Sequence, residues 1–461
     1  MSTADQTTHT STAIPAVGMA ATSGPPVVTR RDRLPVVALV VASAISSAGN
    51  FLTSIALPWF VLITTGSASR TGLVAFAGLL PVLIAGVMGG AVVDRLGARR
   101  SSILSDVASG VTIAIVPTLH LLDVLAFWHI LVFAFLGALL DVPAASARQS
   151  LVPRLAARAA MPLERVNSIM QLSGSLAAIA GPVLAGLLIS RIGATGVLYV
   201  DAVSFAVAAA MIAIGIHARD DQRRAPTPGG VRTQVRATVQ DAAAGLRFLF
   251  GDPFLRAIMA IAICGNTLFS PLFAVVMPVM ARDLYGRPSA LGAMVAAFDG
   301  GATVGALLQG VLGNRFSRRR LFVLAELMLI GGAWCMVPHL GLPVLLVALA
   351  CIGIATGPLN IIVITMLQER TPDGMHGRVF GAFIALAQIA APLSVVSVGV
   401  LLDKVGTTPT LVGMVTMITI AMGVAMVHPR LRALDPPPCT AELSEPLSTD
   451  AVLTHTNGAA A

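Results

Sequence analysis

The stretch GGAVVDRLGARR at residues 89–100 ends a long uncharged run with one acid, several glycines and three arginines. A degenerate copy, QGVLGNRFSRRR, stands at residues 309–320 after a second apolar run. The matched positions are Gly90 with Gly310, Asp94 with Asn314 and Arg95 with Arg315. Because these matches share one offset of 220 residues, the chain is predicted to contain two copies of one unit.

The composition indicates a membrane protein. Of the 461 residues, 56% are hydrophobic and 11% are charged, whereas soluble globular chains carry about 25% charged residues. Apolar runs of roughly 20 residues, enough to span a bilayer as a helix, recur along the chain. We therefore predict an all-α integral membrane protein with twelve spans, because lipid-facing backbone satisfies its hydrogen bonds within helices. The predicted spans are 35–63, 72–93, 102–119, 127–147, 166–190, 197–217, 255–281, 290–313, 321–338, 341–367, 378–402 and 408–428.

The basic residues predict the orientation of the chain. Of the 30 Lys and Arg residues, 25 fall in the tails and alternate loops on one side of the predicted spans. Since cytoplasmic loops carry the excess of basic residues, we expect both termini in the cytoplasm and a multi-pass protein in the inner (plasma) membrane. The net charge of +8 does not indicate a nucleic-acid partner, because nucleic-acid binders concentrate basic residues on an accessible domain.

Two six-helix halves form the predicted domain organisation. The expected segments are a disordered cytoplasmic tail at 1–34, a first half at 35–217, a central cytoplasmic loop with an amphipathic helix at 218–254, a second half at 255–428 and a disordered cytoplasmic tail at 429–461. A second echo, QSLVP at 149–153 against QERTP at 368–372, supports the duplication. Parallel repeats of this kind place a binding site at the interface of the halves, near the midplane of the membrane.

The stretch at 89–100 resembles the signature that follows the second helix of major facilitator transporters, Gly-x-x-x-Asp-Arg-x-Gly-x-Arg-Arg. The copy at 309–320 stands where that family has its second one, with Asn314 in place of the acid and Ser317 in place of a glycine. Three further stretches resemble the family's macrolide-type and siderophore-type (enterobactin-type) drug/proton exporters. They are DVPAASARQSLVPRL at 141–155, AAGLRFLFGDPFLRA at 243–257 and HGRVFGAF at 376–383. The resemblance covers about residues 30–430 and implies the major facilitator fold.

A gate and a plain basic loop are the two interpretations of the stretch at 89–100. A phosphate-binding loop is excluded, because Gly-x4-Gly-Lys-[Ser/Thr] between a strand and a helix is missing. In the family the acid, here Asp94, meets the N-terminus of helix eleven, here near Arg378, when the cytoplasmic side closes. Free N–H groups and the positive end of the helix dipole favour that contact. The gate residues are Gly90, Asp94, Arg95, Gly97, Arg99, Arg100, Asp106, Gly310, Asn314, Arg315, Glu326 and Arg378.

The imperfect repeat predicts an asymmetric gate. Asn314 accepts a hydrogen bond without charge, so the Asp94→Asn variant is expected to reduce transport much more than Asn314→Ala. Initial transport rates of the two variants at matched expression measure this difference. Equal losses would contradict an asymmetric gate.

Acids within the spans are candidates for proton coupling, because an ionisable residue at a helix centre costs about 3 kcal/mol to insert. Asp299 lies near the midplane and is either a proton or cation site, a hydrogen-bonded residue, or a bystander in an aqueous cavity. Asp141 and Asp201 are further candidates, for which structural hydrogen bonding is favoured, with Arg148 as a partner for Asp141. For Asp106 and Glu326 the expected partners are the arginines of the preceding loops, Arg99, Arg100, Arg319 and Arg320.

Polar and aromatic side chains near the midplane predict a largely apolar cavity with few polar anchors. The candidates are Asn50, Asn266, Phe269, Asn360 and Gln388, each of which alternatively forms a hydrogen bond between helices. No basic residue is predicted near the midplane, so a phosphorylated or multiply anionic substrate is not expected. The fifth span resembles the glycine-rich helix of antiporters in Gly174, Gly181, Pro182 and Gly186.

The predicted function is secondary active transport, with proton-coupled efflux of hydrophobic or amphipathic small molecules such as antibiotics, drugs or siderophore-like compounds. The proton gradient is the expected driving force. No metal-ligand spacing, nucleophile motif or nucleotide-binding segment is present, so we expect no cofactor, no metal and no enzymatic activity. The expected partners are a small-molecule substrate and the lipid bilayer, and a monomer is expected to suffice. Alternatives are uptake of a nutrient by proton symport, and a lysolipid flippase or non-transporting membrane partner.

Overall fold

The computed structural model describes residues 33–217, 230–312, 316–372 and 374–427, and all regular structure within them is helical. The helices are α1 (Leu34–Thr65), α2 (Ala68–Leu96), α3 (Ala98–Leu121), α4 (Phe127–Arg158), α5 (Leu163–Gly215), α6 (Gly230–Gly251), α7 (Pro253–Pro271), α8 (Met277–Asp283), α9 (Pro288–Leu312), α10 (Arg318–Cys335), α11 (Leu342–Arg370), α12 (His376–Gln388), α13 (Ala391–Val405) and α14 (Thr407–Val427). A π-helical turn, Leu272–Val276, joins α7 to α8. The tails predicted at 1–34 and 429–461 lie almost entirely outside the described residues.

The prediction of twelve spans is confirmed. Within the described residues, nine helical segments are long and apolar enough to cross a membrane, with α7–α8 and α12–α13 each counted as one segment. The 53-residue α5 contains two predicted spans, because the chain reverses at Gly193, which has a left-handed φ of 74°. α2 and α10 correspond to the two spans that remain.

Several boundaries differ from the prediction. α4 continues to Arg158, about three turns beyond the predicted end at 147. The predicted span at 378–402 breaks between α12 and α13 around residues 389–390. Consecutive spans, with α7–α8 and α12–α13 each taken as one, alternate in direction across the membrane. We call the side at which α1 begins the basic side, and the opposite side the far side.

Glycines bring the helices within each half close together. A Cβ atom on Gly49 of α1 would lie 2.1 Å from the carboxylate of Asp201, so α1 lies directly against the second part of α5. In the second half, Gly301 and Gly305 of α9 contact the backbone of α11. A Cβ atom added to Gly301 would lie 2.3 Å from the carbonyl oxygen of Ala350. Because Gly301 is held on α11, the side chain two residues earlier, Asp299, points to the opposite side of α9.

The two halves are packed together at the far side. The start of α2 lies against the second half of α13, where a Cβ on Gly399 would be 2.7 Å from the carbonyl oxygen of Ala68. α5 crosses the start of α9 equally closely, since a Cβ on Gly292 would be 2.3 Å from the carbonyl oxygen of Pro182. Such distances leave no room for a solute between these helices, so the far side is closed.

Candidate transport site

A cavity of about 640 Å3 lies between the two halves. Its first-half wall comes from α1 to α5, and its second-half wall comes from α7, the π-helical turn and α9. Most of the lining is apolar. The polar lining residues are Asn50, Thr53, Ser54, Thr112, Asp141, Ser270 and Asp299. A mainly apolar cavity with a few polar groups is typical of a small-molecule binding site.

Asp299 faces the cavity from the second half. It lies 11 residues after the start of α9 at Pro288, roughly 17 Å along the helix from the far side. Among the described residues, its carboxylate has neither a hydrogen-bond partner nor an ion-pair partner, although its backbone carbonyl accepts from the Thr303 hydroxyl at 2.9 Å. An ionised carboxylate without a partner in an apolar cavity is costly, which favours binding of a proton or a cationic group.

Asp141 faces the same cavity from α4 in the first half. The amide of Asn50 on α1 donates to one of its carboxylate oxygens at 3.1 Å. The other oxygen is buried and has no hydrogen-bond partner among the described residues. The structure thus places two predicted coupling candidates, Asp141 and Asp299, on one cavity, and both carboxylates have capacity left for a ligand.

Asp201, the third candidate, is fully buried between α1 and α5 and does not line the cavity. The hydroxyls of Thr53 and Ser204 donate to its two carboxylate oxygens. The structure therefore agrees with the predicted structural hydrogen bonding. Thr53 also lines the cavity, so this buried acid supports one polar lining residue.

Arg148 has a different partner from the one predicted. Its guanidinium binds both carboxylate oxygens of Asp106 on α3, at 2.8 and 3.0 Å, and donates to Ser46 of α1 at 3.1 Å. The predicted Arg148–Asp141 pair is therefore wrong, and so is the pairing of Asp106 with the local arginines. Arg99 instead donates to the carbonyls of Ala213 and Ile216 at the end of α5. Arg148 points sideways into the bundle, where α1, α3 and α4 meet, and not along its own helix.

Glu326 is the counterpart of Asp106 in the second half, and its environment differs. It is fully buried on α10, and neither carboxylate oxygen has a hydrogen-bond partner among the described residues. The second echo aligns Arg148 with Leu367, so the repeat lacks the arginine at that position. The predicted pairing of Glu326 with Arg319 or Arg320 is wrong, because the carboxylate points into the bundle, away from the loop.

Four of the five predicted cavity residues do not line this cavity, and Asn50 is the one that does. The amide of Asn266 donates to the carbonyl of Ala262 in its own helix at 3.0 Å. Phe269 packs on Phe298 with ring centroids 5.6 Å apart. Asn360 is exposed on the surface of α11, and Gln388 ends α12 at the break before α13. Position along a span predicts only the depth of a residue, whereas the rotation of each helix decides which side chain reaches the cavity.

The predicted antiporter-like glycines lie where α5 meets other helices. A Cβ on Gly181 would be 2.5 Å from the Cβ of Phe51, and one on Gly186 would be 3.0 Å from the carbonyl oxygen of Pro288. Pro182 lies at the same contact with α9, whereas a Cβ on Gly174 would have no neighbour within 4 Å. The far-side half of this helix is therefore part of the closure between the halves.

This contact gives a matched pair of variants. Gly186→Val is expected to hold α5 and α9 apart and to destabilise the far-side-closed state by about 1–3 kcal/mol, because a well-packed contact does not accept added volume. Gly174→Val, in open space on the same helix, is the control. Transport rates of the purified variants in proteoliposomes measure the effect. A Gly174→Val variant as impaired as Gly186→Val would contradict the role of this contact.

The basic-side gate residues are only partly described. α2 ends at Leu96 and Gly97 follows with a φ of 86°, but the side chains of Gly90, Asp94 and Arg95 are not among the described ones. Asn314 and Arg315 also lie outside the described residues, and Gly310 is exposed near the end of α9. Arg100, near the start of α3, is exposed.

Arg378, at the start of α12, pairs with Asp241 of α6 at 2.7 Å. A Cβ on Gly245 would lie 2.3 Å from the Arg378 carbonyl oxygen, so α6 packs directly on the start of α12. In this conformation the central amphipathic helix therefore contacts the helix end that the sequence assigned to Asp94.

The far side has a charged closure that the sequence did not reveal. Asp403, near the end of α13, accepts from the backbone N–H groups of Ala68 at 2.8 Å and Ser69 at 2.9 Å, and from the hydroxyls of Ser67 at 2.7 Å and Ser69 at 2.6 Å. It thereby caps the N-terminus of α2 from the other half of the molecule. Arg282 of α8 donates to the carbonyl of Gly66 at 3.3 Å, at the end of α1. We call Arg282, Asp403 and residues 66–69 the far-side clasp.

The signs of both charges in the clasp are favourable. The C-terminus of α1 carries the negative end of its dipole and meets Arg282, while the N-terminus of α2 carries the positive end and meets Asp403.

A sequence pattern could have indicated Asp403. Asp403 begins the pattern Asp-Lys-Val-Gly, which matches Asp-Arg-Leu-Gly at 94–97, and each pattern ends a helix at a glycine with a φ of 84° or 86°.

Comparison with known proteins identifies the family and the fold. The model of the Major Facilitator Superfamily matches residues 39–395. The multidrug efflux pump Tap of Mycolicibacterium fortuitum is 33% identical over 411 residues, which cover 88% of this chain and 98% of that protein. Macrolide efflux protein A of Streptococcus pyogenes is 22% identical, over 79% of this chain and 88% of that protein.

Among solved structures, the nucleoside transporter NupG superimposes with a TM-score of 0.71 at 12% sequence identity. The match covers 87% of this chain and 98% of that one. At this identity the likeness shows the arrangement of the helices and carries no information about the substrate.

Proposed function

The chain belongs to the major facilitator superfamily, and from this premise we propose that it is a proton-coupled exporter of hydrophobic or amphipathic small molecules. The observation that carries the proposal is the apolar cavity between the halves, which is lined by Asp141 and Asp299. Among the described residues, one carboxylate oxygen of Asp141 and the carboxylate of Asp299 have no hydrogen-bond partner. The likeness to multidrug efflux pumps over nearly the whole chain supports the direction of transport.

Alternating access supplies the mechanism. With the far side closed, the cavity exchanges solutes with the basic side, which is the cytoplasm by the positive-inside rule. A substrate enters from there, the halves rock, and the far-side contacts open to release it outside. The Asp299 carboxylate takes up a proton from the outside and releases it to the cytoplasm, so that proton influx drives export. The protein works as a monomer in the inner membrane.

Two capping contacts at opposite ends of α2 determine which side is closed. Asp403 caps the start of α2 when the far side is closed. As the resemblance to the family implies, Asp94, at the other end of α2, caps the start of α12 when the cytoplasmic side is closed. Since the halves close on one side at a time, each acid stabilises one state against the other.

Opposite shifts are therefore expected from Asp403→Asn and Asp94→Asn. Loss of the charged acceptor at Asp403 costs the far-side-closed state about 1–3 kcal/mol, which raises the far-side-open population about tenfold. Spin labels at the exposed residues Asp123 and Leu340, in a variant without the native cysteines, report the far-side distance by double electron–electron resonance. Asp403→Asn should lengthen this distance and Asp94→Asn should shorten it.

The control for the clasp is Glu164→Gln, which removes an exposed acid at the start of α5. It should leave the distance distribution unchanged. Shifts in the same direction for Asp403→Asn and Asp94→Asn would contradict the opposing roles of the two contacts.

Transport in membrane vesicles tests the proposed function. Inverted vesicles containing the protein are given an acidic interior and a cationic, a neutral or an anionic amphipathic compound: ethidium, chloramphenicol or deoxycholate. Accumulation of at least one compound that collapses with the pH gradient is the expected result. Accumulation only in right-side-out vesicles would instead show uptake by symport. Absence of flux for every compound would contradict transport and favour the lipid-handling or non-transporting alternative.

A further inference from the structure

We infer that the cavity selects amphipathic organic cations, which are compounds with one positive charge embedded in an aromatic or aliphatic body. This inference rests on the proposed function only for the location of the substrate site. It names the charge of the substrate, which neither the family nor the likeness to efflux pumps determines.

The charges on the cavity wall are the first support. Asp141 and Asp299 line the cavity from opposite halves, and none of the described residues that line it is basic. Asp299 has no ion-pair partner among the described residues, and Asp141 has one buried carboxylate oxygen without a hydrogen bond. A cation in the cavity is attracted by both carboxylates, whereas an anion placed there is repelled by both.

Neighbouring charges do not cancel this negative field. The positive charge of Arg148 reaches Asp141, but the Arg148 guanidinium binds both carboxylate oxygens of Asp106, so the Arg148–Asp106 pair as a whole is neutral. Asp201 is buried behind Thr53 and adds no positive charge. The second-half helices next to Asp299 place no charged residue on the cavity wall. The two lining acids therefore face the cavity without a compensating cation among the described residues.

The remaining wall fits the body of such a compound. Aromatic rings line the cavity at Phe51, Phe133, Phe205 and Phe273, and the faces of aromatic rings attract organic cations. The cavity volume of about 640 Å3 is in the range of drug-sized ligands. A small hydrated ion would make no contacts with these apolar walls. We therefore expect the cavity to select for an apolar body as well as for a positive charge.

A matched pair of ions tests the inference without any gradient. Tetraphenylphosphonium and tetraphenylborate have nearly the same size and shape and carry opposite charges. Binding of each to the purified full-length protein is measured by equilibrium dialysis. We expect tetraphenylphosphonium to bind at least about tenfold more tightly than tetraphenylborate, since charged contacts of this kind differ by that factor or more.

Variants connect the selectivity to the two acids. Asp299→Asn and Asp141→Asn should each weaken tetraphenylphosphonium binding by about tenfold and leave tetraphenylborate binding unchanged or stronger. Asp123→Asn, in an exposed far-side turn, is the control with unchanged affinity. Binding of tetraphenylphosphonium should also weaken as the pH falls, because protons compete for the same carboxylates. Elution of every variant as a single folded species in size-exclusion chromatography accompanies each measurement.

Equal affinity for the two ions, or tighter binding of tetraphenylborate, would overturn the inference. Unchanged tetraphenylphosphonium affinity in both acid variants would also overturn it. These outcomes are distinct from failure of the proposed function. Export of chloramphenicol without binding of tetraphenylphosphonium would contradict only the inferred cation selectivity. Binding of tetraphenylphosphonium without flux of any compound would contradict only the proposed transport function.

Discussion

Asp299→Asn is expected to abolish proton-driven accumulation and to leave downhill movement of substrate intact. One unit of pH difference supplies about 1.4 kcal/mol per proton, enough for about a tenfold concentration ratio per proton exchanged. Asparagine cannot take up or release a proton, so the concentration ratio should fall to about one. The carboxylate of Asp299 has no hydrogen-bond partner among the described residues, so its replacement removes no internal contact that the structure records.

Two measurements in proteoliposomes separate coupling from folding. The ratio of internal to external ethidium under an imposed pH gradient reports coupling. Exchange of labelled for unlabelled ethidium at equal pH, at a concentration that saturates even a site of about tenfold weakened affinity, reports the conformational cycle. The Asp299→Asn variant should lose accumulation of ethidium under the pH gradient and retain exchange of ethidium at equal pH. Asp123→Asn should retain both. Full accumulation by Asp299→Asn would exclude this residue as the coupling site and leave Asp141 as the candidate on the cavity wall.

Arg148→Met is expected to cause the largest loss of stability. It leaves the carboxylate of Asp106 fully buried without its cation, and breaking a buried ion pair in this way costs about 3–5 kcal/mol. The pair also connects α3 and α4 to Ser46 of α1, so its loss reaches three helices. The expected result is a sharp fall in yield and a lowered thermal midpoint of the purified protein in detergent.

The double variant Asp106→Leu with Arg148→Met should recover most of the lost stability, because an apolar pair of similar volume is often as stable as a buried ion pair. Arg318→Met provides the contrast, since the Arg318–Glu369 pair at 2.7 Å is partly exposed and worth about 0–1 kcal/mol. Thermal midpoints measured by fluorescence size-exclusion chromatography compare the three variants. A double variant as unstable as Arg148→Met would show that the arginine acts through something other than charge compensation.

The fold was largely predictable from the sequence. Apolar runs of sufficient length predicted the spans, and the repeat at an offset of 220 residues predicted the two halves. The errors concern helix ends. α4 continues to Arg158, and Pro153 lies inside it. The predicted end was too early because the hydropathy of the sequence falls before the helix ends. The reversal at Gly193 was placed correctly between two predicted spans.

The candidate site was predictable in depth and not in contacts. Asn50 and Asp299 were expected near the midplane and Asp141 toward the inner end of its span, and all three line one cavity. Asn360 and Gln388 are also polar residues within apolar spans, but they do not line the cavity. The position of a residue along a helix does not tell which neighbouring helix its side chain faces. Arg148 lies seven residues after Asp141 on the same helix, yet its partner is on α3.

The sequence by itself determined the membrane-spanning architecture, the duplication, the resemblance to the family and which acids lie within the spans, because each of these follows from composition and order along the chain. Only the tertiary structure decided which acids share a cavity, that Asp106 neutralises Arg148 and that Asp403 caps the start of α2 across 335 positions of sequence. The physical reason is that burial in a membrane depends on sequence position, whereas charge pairing and capping depend on how helices from distant parts of the chain are rotated and packed.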